Sequence, residues 1–161
     1  MKMIERTLVL IKPDGIERGL IGKIIERFEN VGLKIVAAKM VKIDQEFARK
    51  HYWEHVEKPF YQFIEKYITS GPVLALVLEG LHAVEVVRKL VGPTEPRKAQ
   101  PGTIRGDFSH VSYAYADNKK MAVKNLIHAS DSLENAKYEI SLWFKPEEII
   151  EYESVHEKHI F

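Results

Sequence analysis

A histidine within residues 125–132 (NLIHASDS) is the side chain of this 161-residue sequence best placed to do chemistry. His128 ends a short apolar run that predicts a buried strand. The polar cluster 130–132 after it predicts the cap of a following helix. Backbone N–H groups and the helix dipole favour anions where a strand meets the amino end of a helix. His128 is therefore interpreted either as a structural hydrogen-bonding residue or as a nucleophile beside an anion.

Three basic residues are candidates for holding such an anion. Lys12 comes directly after a predicted strand, Arg88 lies on a predicted helix, and Arg105 lies in a long predicted loop. Each of them alone is most often a solvated surface charge. If the fold brings them together with Thr94 and His128, they would bind a polyphosphate through charge-assisted hydrogen bonds.

The familiar glycine loops and hydrolase motifs are absent from the sequence. The nearest P-loop candidate, Gly22-Lys23, is followed by Ile24 where Ser or Thr is required, and there is neither a Gly-x-Gly-x-x-Gly nor a Gly-x-Ser-x-Gly motif. His51 and His55 have the i, i+4 spacing of a zinc pair, but no third ligand accompanies them. The sequence therefore predicts no metal site built by the protein alone.

Composition excludes several classes of protein. The 24 basic and 23 acidic residues leave a net charge of +1, which argues against binding nucleic acid or acidic lipid through bulk charge. The absence of cysteine excludes disulfides and a thiolate nucleophile. The longest apolar run, 73–78, is too short to span a bilayer, and Glu5 and Arg6 interrupt the first apolar stretch. We expect one cytoplasmic globular domain over residues 1–161, with no membrane partner.

Hydrophobic periodicity predicts alternating strands and helices. Strands are expected at 6–11, 33–43, 73–78 and around His128, and helices at 19–30, 44–55, 60–68, 82–90, 133–144 and from Pro146. This order predicts an α/β (α+β) ferredoxin-like sandwich, in which helices cover an antiparallel sheet. Val111, Tyr113 and Tyr115 alternate as in a strand, and a turn at Asp117 predicts a return strand, so 109–124 is expected to form a hairpin.

Residues 125–131 match the Asn-x-x-His-x-Ser-Asp signature of nucleoside diphosphate kinases. The resemblance continues in the same order through most of the chain, in the blocks TLVLIKPDG with Lys12, HYWEHVEKPF with Tyr52 and Phe60, SGP at 70–72, Arg88, Thr94, PGTIRGDF at 101–108 and EISLWF from Glu139. Several blocks in one order make the match far more specific than the signature alone. The chain resembles this family over nearly its whole length.

The resemblance implies an enzyme that moves the γ-phosphoryl group of a nucleoside triphosphate to a nucleoside diphosphate. The reaction would be ping-pong through a phosphohistidine at His128, with broad tolerance of base and sugar. Mg²⁺ would arrive with the nucleotide phosphates. The family further implies a homo-oligomer, commonly a hexamer.

The resemblance also implies roles for individual residues. Catalysis would rest on His128, supported by Glu139 at the far ring nitrogen, by Ser130 and by Tyr52 beside the ring. The phosphates would be held by Arg88, Thr94, Arg105 and Lys12, the ribose 3′-hydroxyl by Lys12 and Asn125, and the base by stacking on Phe60.

One segment departs from the family pattern. Residues 109–124 are longer than the usual link before the signature asparagine, so the residues that close over the base from that side have no assigned counterparts here. Two alternatives remain open at this point: a nucleotide-binding module without turnover, and a phosphohistidine carrier protein, which would need no ribose or base site. An RNA-binding version lacks the aromatic RNP signature.

Overall fold

The computed structural model describes residues 3–161. Its strands are β1 (Ile4–Ile11), β2 (Lys34–Val41), β3 (Val73–Leu81) and β4 (Ile127–Ala129). Its α-helices are α1 (Pro13–Glu17), α2 (Ile21–Glu29), α3 (Gln45–His51), α4 (Tyr61–Ile68), α5 (Ala83–Val91), α6 (Ile104–Phe108), α7 (Tyr113–Asn118), α8 (Leu133–Trp143) and α9 (Glu157–Ile160). Short 3₁₀ turns lie at Trp53–His55, Pro96–Lys98 and Pro146–Glu148. Within 3–161, every helix falls short of the length and apolar character that crossing a membrane requires.

The four strands form one antiparallel sheet in the order β2-β3-β1-β4. β1 lies between β3 and β4, so Leu10 is paired on the β4 side with His128. A bulge between Ile35 and Ala37 interrupts the β2–β3 ladder. This strand order, with helical connections after β1 and β3, is the ferredoxin-like sandwich, and the predicted fold is confirmed.

Helices cover both faces of the sheet because the central strands alternate two sets of apolar side chains. One face packs on α2 and α5 and buries Val9, Ile11, Ile24, Phe28, Leu76, Leu78 and Val87. The other packs on α3 and α8 and buries Leu8, Leu10, Ala48, Ala75, Val77 and Trp143. β3 is buried on both sides, as its near-continuous apolar sequence predicts.

The short strand β4 decides where the histidine points. Ile127 and Ala129 belong to the apolar core on the α2 and α5 side. Successive residues of a strand face opposite sides, so His128 between them is directed toward α8. The helix begins directly after the strand, at the Ser132 cap, whose side chain accepts a hydrogen bond from the Asn135 N–H at 3.1 Å.

The helix predicted over 44–55 ends earlier than expected. Asp44 caps it as predicted, accepting a hydrogen bond from the Phe47 N–H at 2.8 Å. The last α-helical hydrogen bond joins the Tyr52 N–H to the Ala48 carbonyl, and the chain then tightens into a 3₁₀ turn. His51 and His55 therefore do not share a helical face: His51 is buried, whereas the His55 ring lies 5.9 Å from that of Phe60.

The predicted hairpin at 109–124 is wrong: the segment contains helix α7. The Ser112 side chain caps it by accepting from the Tyr115 N–H at 3.1 Å, and the small residue Ala116 packs against the body of the protein. Ala114 and Ala116, which alternate with the two tyrosines, favour a helix over a strand. The N–H groups of Lys120 and Met121 close the helix on the carbonyls of Asp117 and Ala116, so the backbone bonds are made within the segment.

Lys120 follows α7 in the left-handed conformation, at φ 51°, where glycine is the usual residue. We expect Lys120→Gly to raise the free energy of unfolding by about 0.5–1 kcal/mol, since it relieves the left-handed strain at some cost in unfolded-state entropy. Urea unfolding monitored by circular dichroism measures the change. Lys119→Gly is the matched control: its φ of −87° carries no such strain, so it should be neutral or destabilising. Equal changes in the free energy of unfolding for the two substitutions would contradict the left-handed strain assigned to Lys120.

Candidate active site

A cavity of about 640 Å³ opens beside the ends of β1 and β4. It is lined by every predicted site residue except Ser130, which is buried behind it: Lys12, Tyr52, Phe60, Arg88, Thr94, Arg105, Asn125, His128 and Glu139. These residues come from segments spread along the chain from residue 12 to residue 139. Only the folded sheet brings them into one place.

His128 is held from one side by a carboxylate. Its Nε2 lies 3.0 and 3.1 Å from the two carboxylate oxygens of Glu139, and the Ser130 hydroxyl donates to the same carboxylate at 2.5 Å. A carboxylate only accepts hydrogen bonds, so Nε2 carries the proton. Nδ1 then keeps its lone pair, as a nucleophile requires.

Behind His128 lies a second imidazole. The Trp143 indole N–H donates to His51 Nδ1 at 2.9 Å, which places the proton of the neutral His51 ring on Nε2. Its ring packs edge-on against that of His128, with the centroids 4.6 Å apart. Burial, reinforced by nearby His128 and Lys12, lowers the pKa of His51 well below its usual range. His51 therefore supports the neighbouring ring without adding charge.

The same residues could be read as a metal site. Potential ligand atoms of His51, His128 and Glu139 lie within 4.8 Å of one another. However, Trp143 already occupies His51 Nδ1 and so fixes a proton on Nε2, and Glu139 already accepts from two donors. The cluster is satisfied as a hydrogen-bonded unit, which leaves no free set of ligands for a metal ion.

Lys12 enters the cavity from the residue after β1. Its ammonium donates to the Asn125 side-chain oxygen at 2.8 Å, and the Asn125 amide donates to the Thr94 carbonyl at 3.0 Å. Burial and the charge of Arg105 lower the pKa of Lys12 to about 7, although Asp14 opposes the shift. The protein thus holds a lysine that is poised to gain a proton when negative charge arrives.

Arg105 is almost completely buried, with 3% of its surface exposed. Its guanidinium donates to the carbonyls of Asn125, Gly92 and Ile127 at 3.2, 3.0 and 2.5 Å. Burial and the charge of Arg88 lower the pKa of Arg105 to about 10, so it remains charged at neutral pH. The three carbonyls fix its position in the cavity wall.

The cations of the cavity have no acidic partners of their own. Among the described residues, the Arg88 guanidinium donates only to the Ala129 carbonyl, at 3.3 Å. Within residues 3–161, no carboxylate lies within 4 Å of the charged nitrogens of Lys12, Arg88 or Arg105. Buried charges are costly unless they are paired. The cavity is therefore electrostatically prepared for an anion with several negative oxygens.

The backbone before His128 makes a tight and strained turn. Leu126 has φ 71°, and the Ile127 N–H bonds to the Asn125 carbonyl at 2.8 Å, closing a γ-turn. The opposite side of the turn is held by two hydrogen bonds. The Lys12 backbone N–H donates to the Leu126 carbonyl at 2.8 Å, and the Leu126 N–H donates to the Asp14 carboxylate at 3.2 Å. A bulky residue at positive φ is rare, and such strain is concentrated at functional sites.

Aromatic residues line another part of the cavity. Phe60 is 47% exposed although it is a large apolar side chain, and Phe63, Ile64 and Tyr67 line the cavity with it. The Tyr52 hydroxyl is buried and has no hydrogen-bond partner among the described residues. Burial, with a contribution from Glu139, raises the pKa of Tyr52, so the hydroxyl keeps its proton as a donor.

Sequence reasoning missed two parts of the site. The sequence pairs His51 with His55 on one helix and does not indicate that α3 ends at His51; the i, i+3 relation of His51 to the buried Ala48 is the signal that it faces the interior. Tyr113 and Asp117 of α7 also line the cavity, and their i, i+4 spacing becomes meaningful only once the segment is known to be helical.

Comparison with known proteins places the chain among phosphotransferases. The family model described as nucleoside diphosphate kinase matches residues 5–149. The nucleoside diphosphate kinase of Pyrococcus horikoshii is 59% identical over 152 residues, covering 94% of this chain and 92% of the relative. That of Archaeoglobus fulgidus is 51% identical over 158 residues, covering 98% of each.

Solved structures agree with the sequence relatives. A transition-state mimic of the Borrelia burgdorferi nucleoside-diphosphate kinase with bound vanadate and ADP superposes with a TM-score of 0.96 and 45% identity, over 99% of this chain and 98% of that one. A halophilic enzyme from Halobacterium salinarum in complex with CDP gives a TM-score of 0.87 and 42% identity, over 98% of both chains.

Proposed function

The chain belongs to the nucleoside diphosphate kinase family, and from that premise we propose that His128 is the nucleophile that carries the phosphoryl group between two nucleotides. The activity of the family is transfer of the γ-phosphoryl group of a nucleoside triphosphate to a nucleoside diphosphate. The observation that carries the proposal is the Glu139–His128 hydrogen bond, which leaves Nδ1 unprotonated at a cavity lined by three unpaired cations.

The first half-reaction forms a bond from Nδ1 to the γ-phosphorus. The lone pair of Nδ1 attacks in line, the bond from the γ-phosphorus to the β,γ-bridging oxygen breaks, and the diphosphate leaves with that electron pair. The ring becomes positively charged while its Nε2 proton stays in place, and the Glu139 carboxylate 3.0 Å away stabilises that charge. In the second half-reaction a β-phosphate oxygen of the acceptor diphosphate attacks the phosphorus, and the Nδ1–P bond breaks.

The three cations supply the electrostatic part of catalysis. Lys12, Arg88 and Arg105 hold the phosphates, together with Thr94, and oppose the charge that develops on the oxygens during transfer. Because Arg105 is fixed by three carbonyls, it needs no rearrangement at the moment of transfer. Ser130 and the Trp143–His51 pair keep Glu139 and His128 aligned.

The remaining contacts bind the nucleoside with little discrimination. Lys12 and Asn125 reach the ribose 3′-hydroxyl, and Phe60 stacks on the base. Stacking on an aromatic ring is worth about 1–3 kcal/mol per base and tolerates every base. An enzyme that binds its substrate through the phosphates and the sugar, and contacts the base only by stacking, accepts nucleotides with different bases.

The divalent cation that nucleotide phosphates carry is, in our proposal, Mg²⁺ bound to the substrate. Apart from Glu139, which His128 and Ser130 engage, the cavity carboxylates are Glu54, Asp117 and Asp131; all three are exposed, and Asp131 is engaged by the Asn135 amide at 2.7 Å. These scattered groups do not make a carboxylate cage, which suits an ion that keeps its phosphate and water ligands.

We further propose that residues 1–161 act as one domain, in the cytoplasm, as a homo-oligomer and most simply a hexamer, as the family suggests. Edge strand β2 supports self-association, because Met40 on it is exposed, and so do the exposed apolar residues Ile150, Val155 and Phe161 after α8. Light scattering measures the mass in solution. A monomer at micromolar concentration would contradict the oligomer.

The proposed intermediate is tested by labelling with γ-³²P-ATP and Mg²⁺. The label should stay on the protein, be labile to acid and stable to alkali, and be discharged by ADP, GDP, CDP or UDP with formation of the matching triphosphate. Label that no diphosphate removes, or that survives acid, would overturn the proposal.

Nucleotide binding at pH 8 is expected to take up most of one proton. The Lys12 pKa of about 7 means that the free side chain is mostly neutral at pH 8, and bound phosphate raises that pKa by favouring the ammonium form. Calorimetric titration with ADP in buffers of different ionisation enthalpy measures the uptake. Lys12→Met should abolish it, and equal uptake by this variant would assign the proton to another group.

Tyr52→Phe is expected to separate stability from activity. Removing a buried hydroxyl without a protein partner should raise the free energy of unfolding by about 1 kcal/mol, whereas loss of the polar group packed beside the His128 ring should slow turnover about tenfold. Urea unfolding and steady-state rates measure both. Tyr152→Phe is the control: its hydroxyl bonds to the Ile35 carbonyl at 2.7 Å outside the cavity, so stability should fall while turnover holds. Equal turnover by Tyr52→Phe and the wild type would remove Tyr52 from the mechanism.

A further inference from the structure

The Asp14 carboxylate joins three parts of the chain behind the residues that line the cavity. It lies in the first turn of α1, two residues after Lys12. One of its oxygens accepts a hydrogen bond from the hydroxyl of Tyr67 on α4, and the other accepts from the Leu126 N–H at 3.2 Å. The carboxylate therefore links the end of β1, helix α4 and the turn before β4.

The bond to Leu126 acts on the strained part of the site. Leu126 has φ 71°, a conformation that costs energy in a bulky residue and persists only where its surroundings fix it. The Lys12 N–H holds the Leu126 carbonyl and Asp14 holds the Leu126 N–H, so both backbone polar groups are anchored to the segment after β1. Asn125 precedes Leu126, and His128 lies two residues after it. The conformation of the turn therefore sets where both side chains enter the cavity.

Tyr67 holds the carboxylate and the lysine in place together. Its side chain is buried, its hydroxyl donates to Asp14, and the Lys12 ammonium lies 5.2 Å from the centroid of its ring. A cation near an aromatic face is attracted to it. Burial, reinforced by the Asp14 carboxylate, raises the pKa of Tyr67 well above its usual range, so the hydroxyl remains a donor. One side chain thus positions two groups of opposite charge.

Asp14 also acts on Lys12 through its charge. Lys12 is faced by titratable or charged groups from four helices, namely Asp14 from α1, His51 from α3, Tyr67 from α4 and Arg105 from α6. Burial and Arg105 disfavour the ammonium form of Lys12, whereas Asp14 favours it. His51 is neutral and Tyr67 keeps its proton, so Asp14 supplies the negative charge of this set.

We propose that Asp14 is a positioning residue for phosphoryl transfer, which together with Tyr67 holds the strained turn at Leu126. Through that turn it places Asn125 and His128 against the substrate, and through its charge it acts on Lys12. The inference rests on the proposed function and adds two residues to it. Neither of them is required to touch the reacting atoms. A misplacement of about 1 Å can cost about 100-fold in rate, so such support is felt in the transfer step.

The test measures phosphoenzyme formation from saturating ATP in a single turnover. Asp14→Ala removes the acceptor of both hydrogen bonds, so the rate should fall about 10- to 100-fold. Tyr67→Phe keeps the ring and loses one bond, so its rate should fall about three- to tenfold. Asp14→Asn keeps an oxygen for the Leu126 N–H and gains an amide that can donate to the Tyr67 oxygen, so it should recover most of the wild-type rate.

Proton uptake on ADP binding separates the charge of Asp14 from its hydrogen bonds. Because the pKa of Lys12 is about 7, the wild type should take up about half a proton at pH 7. Asp14→Ala and Asp14→Asn remove the charge that favours the ammonium, so free Lys12 holds less of its proton and the uptake should rise towards one. Tyr67→Phe retains the carboxylate and should keep the wild-type uptake. Calorimetric titration in buffers of different ionisation enthalpy measures these values.

Tyr61→Phe is the matched control on the same helix. Tyr61 is also a buried tyrosine whose hydroxyl donates to a carboxylate, that of Glu65 at 3.4 Å, but it does not line the cavity. Its rate of phosphoenzyme formation should stay within about twofold of the wild type, and its proton uptake should be unchanged.

The outcomes distinguish this role from the phosphotransfer itself. If ATP forms no phosphoenzyme on the wild type, the proposed function fails. If the phosphoenzyme forms but Asp14→Ala and Tyr67→Phe react as fast as Tyr61→Phe, the positioning role alone is overturned. It is also overturned if Asp14→Asn is as slow as Asp14→Ala, or if neither Asp14 variant changes the proton uptake. Should Asp14→Ala fail to fold, the rates of Tyr67→Phe and Asp14→Asn and the uptake of Asp14→Asn decide the question.

Discussion

Replacing His128 with alanine is expected to lower nucleoside diphosphate turnover by at least about four orders of magnitude. The imidazole supplies the bond that joins the two half-reactions, and loss of a covalent nucleophile in other enzymes costs about 10⁴–10⁶ in kcat. The variant should still fold, because His128 is only half-buried and its neighbours Ile127 and Ala129 fill the core. Coupled measurement of triphosphate formation, with circular dichroism as a folding check, gives the result.

His110→Ala is the matched control for this prediction. His110 is an exposed histidine that does not line the cavity. Its removal should change turnover by less than about twofold, as is usual for a surface substitution. A His128→Ala protein with more than about one percent of wild-type turnover would show that another group accepts the phosphoryl group.

Glu139→Gln is expected to lower turnover at least about 100-fold with little change in nucleotide affinity. The carboxylate forces the His128 proton onto Nε2, whereas the glutamine amide can donate to Nε2 and so favour the tautomer with the proton on Nδ1. That tautomer has no lone pair for attack. The analogous Asp→Asn change in the serine-protease triad costs about 10⁴ in kcat.

The tautomer itself can be measured by ¹H–¹⁵N correlation at the His128 ring. The wild type should show the proton on Nε2, and Glu139→Gln should show a large fraction with the proton on Nδ1. Ser130→Ala retains the carboxylate and loses only the 2.5 Å hydrogen bond to it, so its loss of turnover should be much smaller. If Glu139→Gln kept the wild-type tautomer and rate, the carboxylate would have no positioning role.

Local patterns were sufficient to predict most of the elements. The apolar run of β3, the amphipathic face of α2 with Ile24 and Phe28, and the Asp44 cap each follow from a few neighbouring residues. Those elements fix the ferredoxin-like order, because short connections leave few ways to cover one antiparallel sheet. His128 was predicted on a strand and is found on β4.

The parts that local patterns do not determine depend on contacts distant in sequence or on weak local signals. Whether Lys12, Arg88 and Arg105 meet is decided by the sheet order, which no local pattern encodes. The Trp143–His51 hydrogen bond joins residues 92 positions apart. In 109–124, the alternation of Val111, Tyr113 and Tyr115 favours a strand, whereas the helix propensity of the alanines and the Ser112 cap favour a helix. The segment is helical because none of the four strands of the sheet pairs with it.

The most direct test of the account is NMR of the phosphoenzyme made with ¹⁵N-histidine protein and ATP. The account predicts a single phosphoramidate whose ¹⁵N–³¹P coupling places phosphorus on Nδ1 of His128, with Nε2 still protonated and hydrogen-bonded to Glu139. Phosphorus on Nε2, or on any other residue, would contradict it.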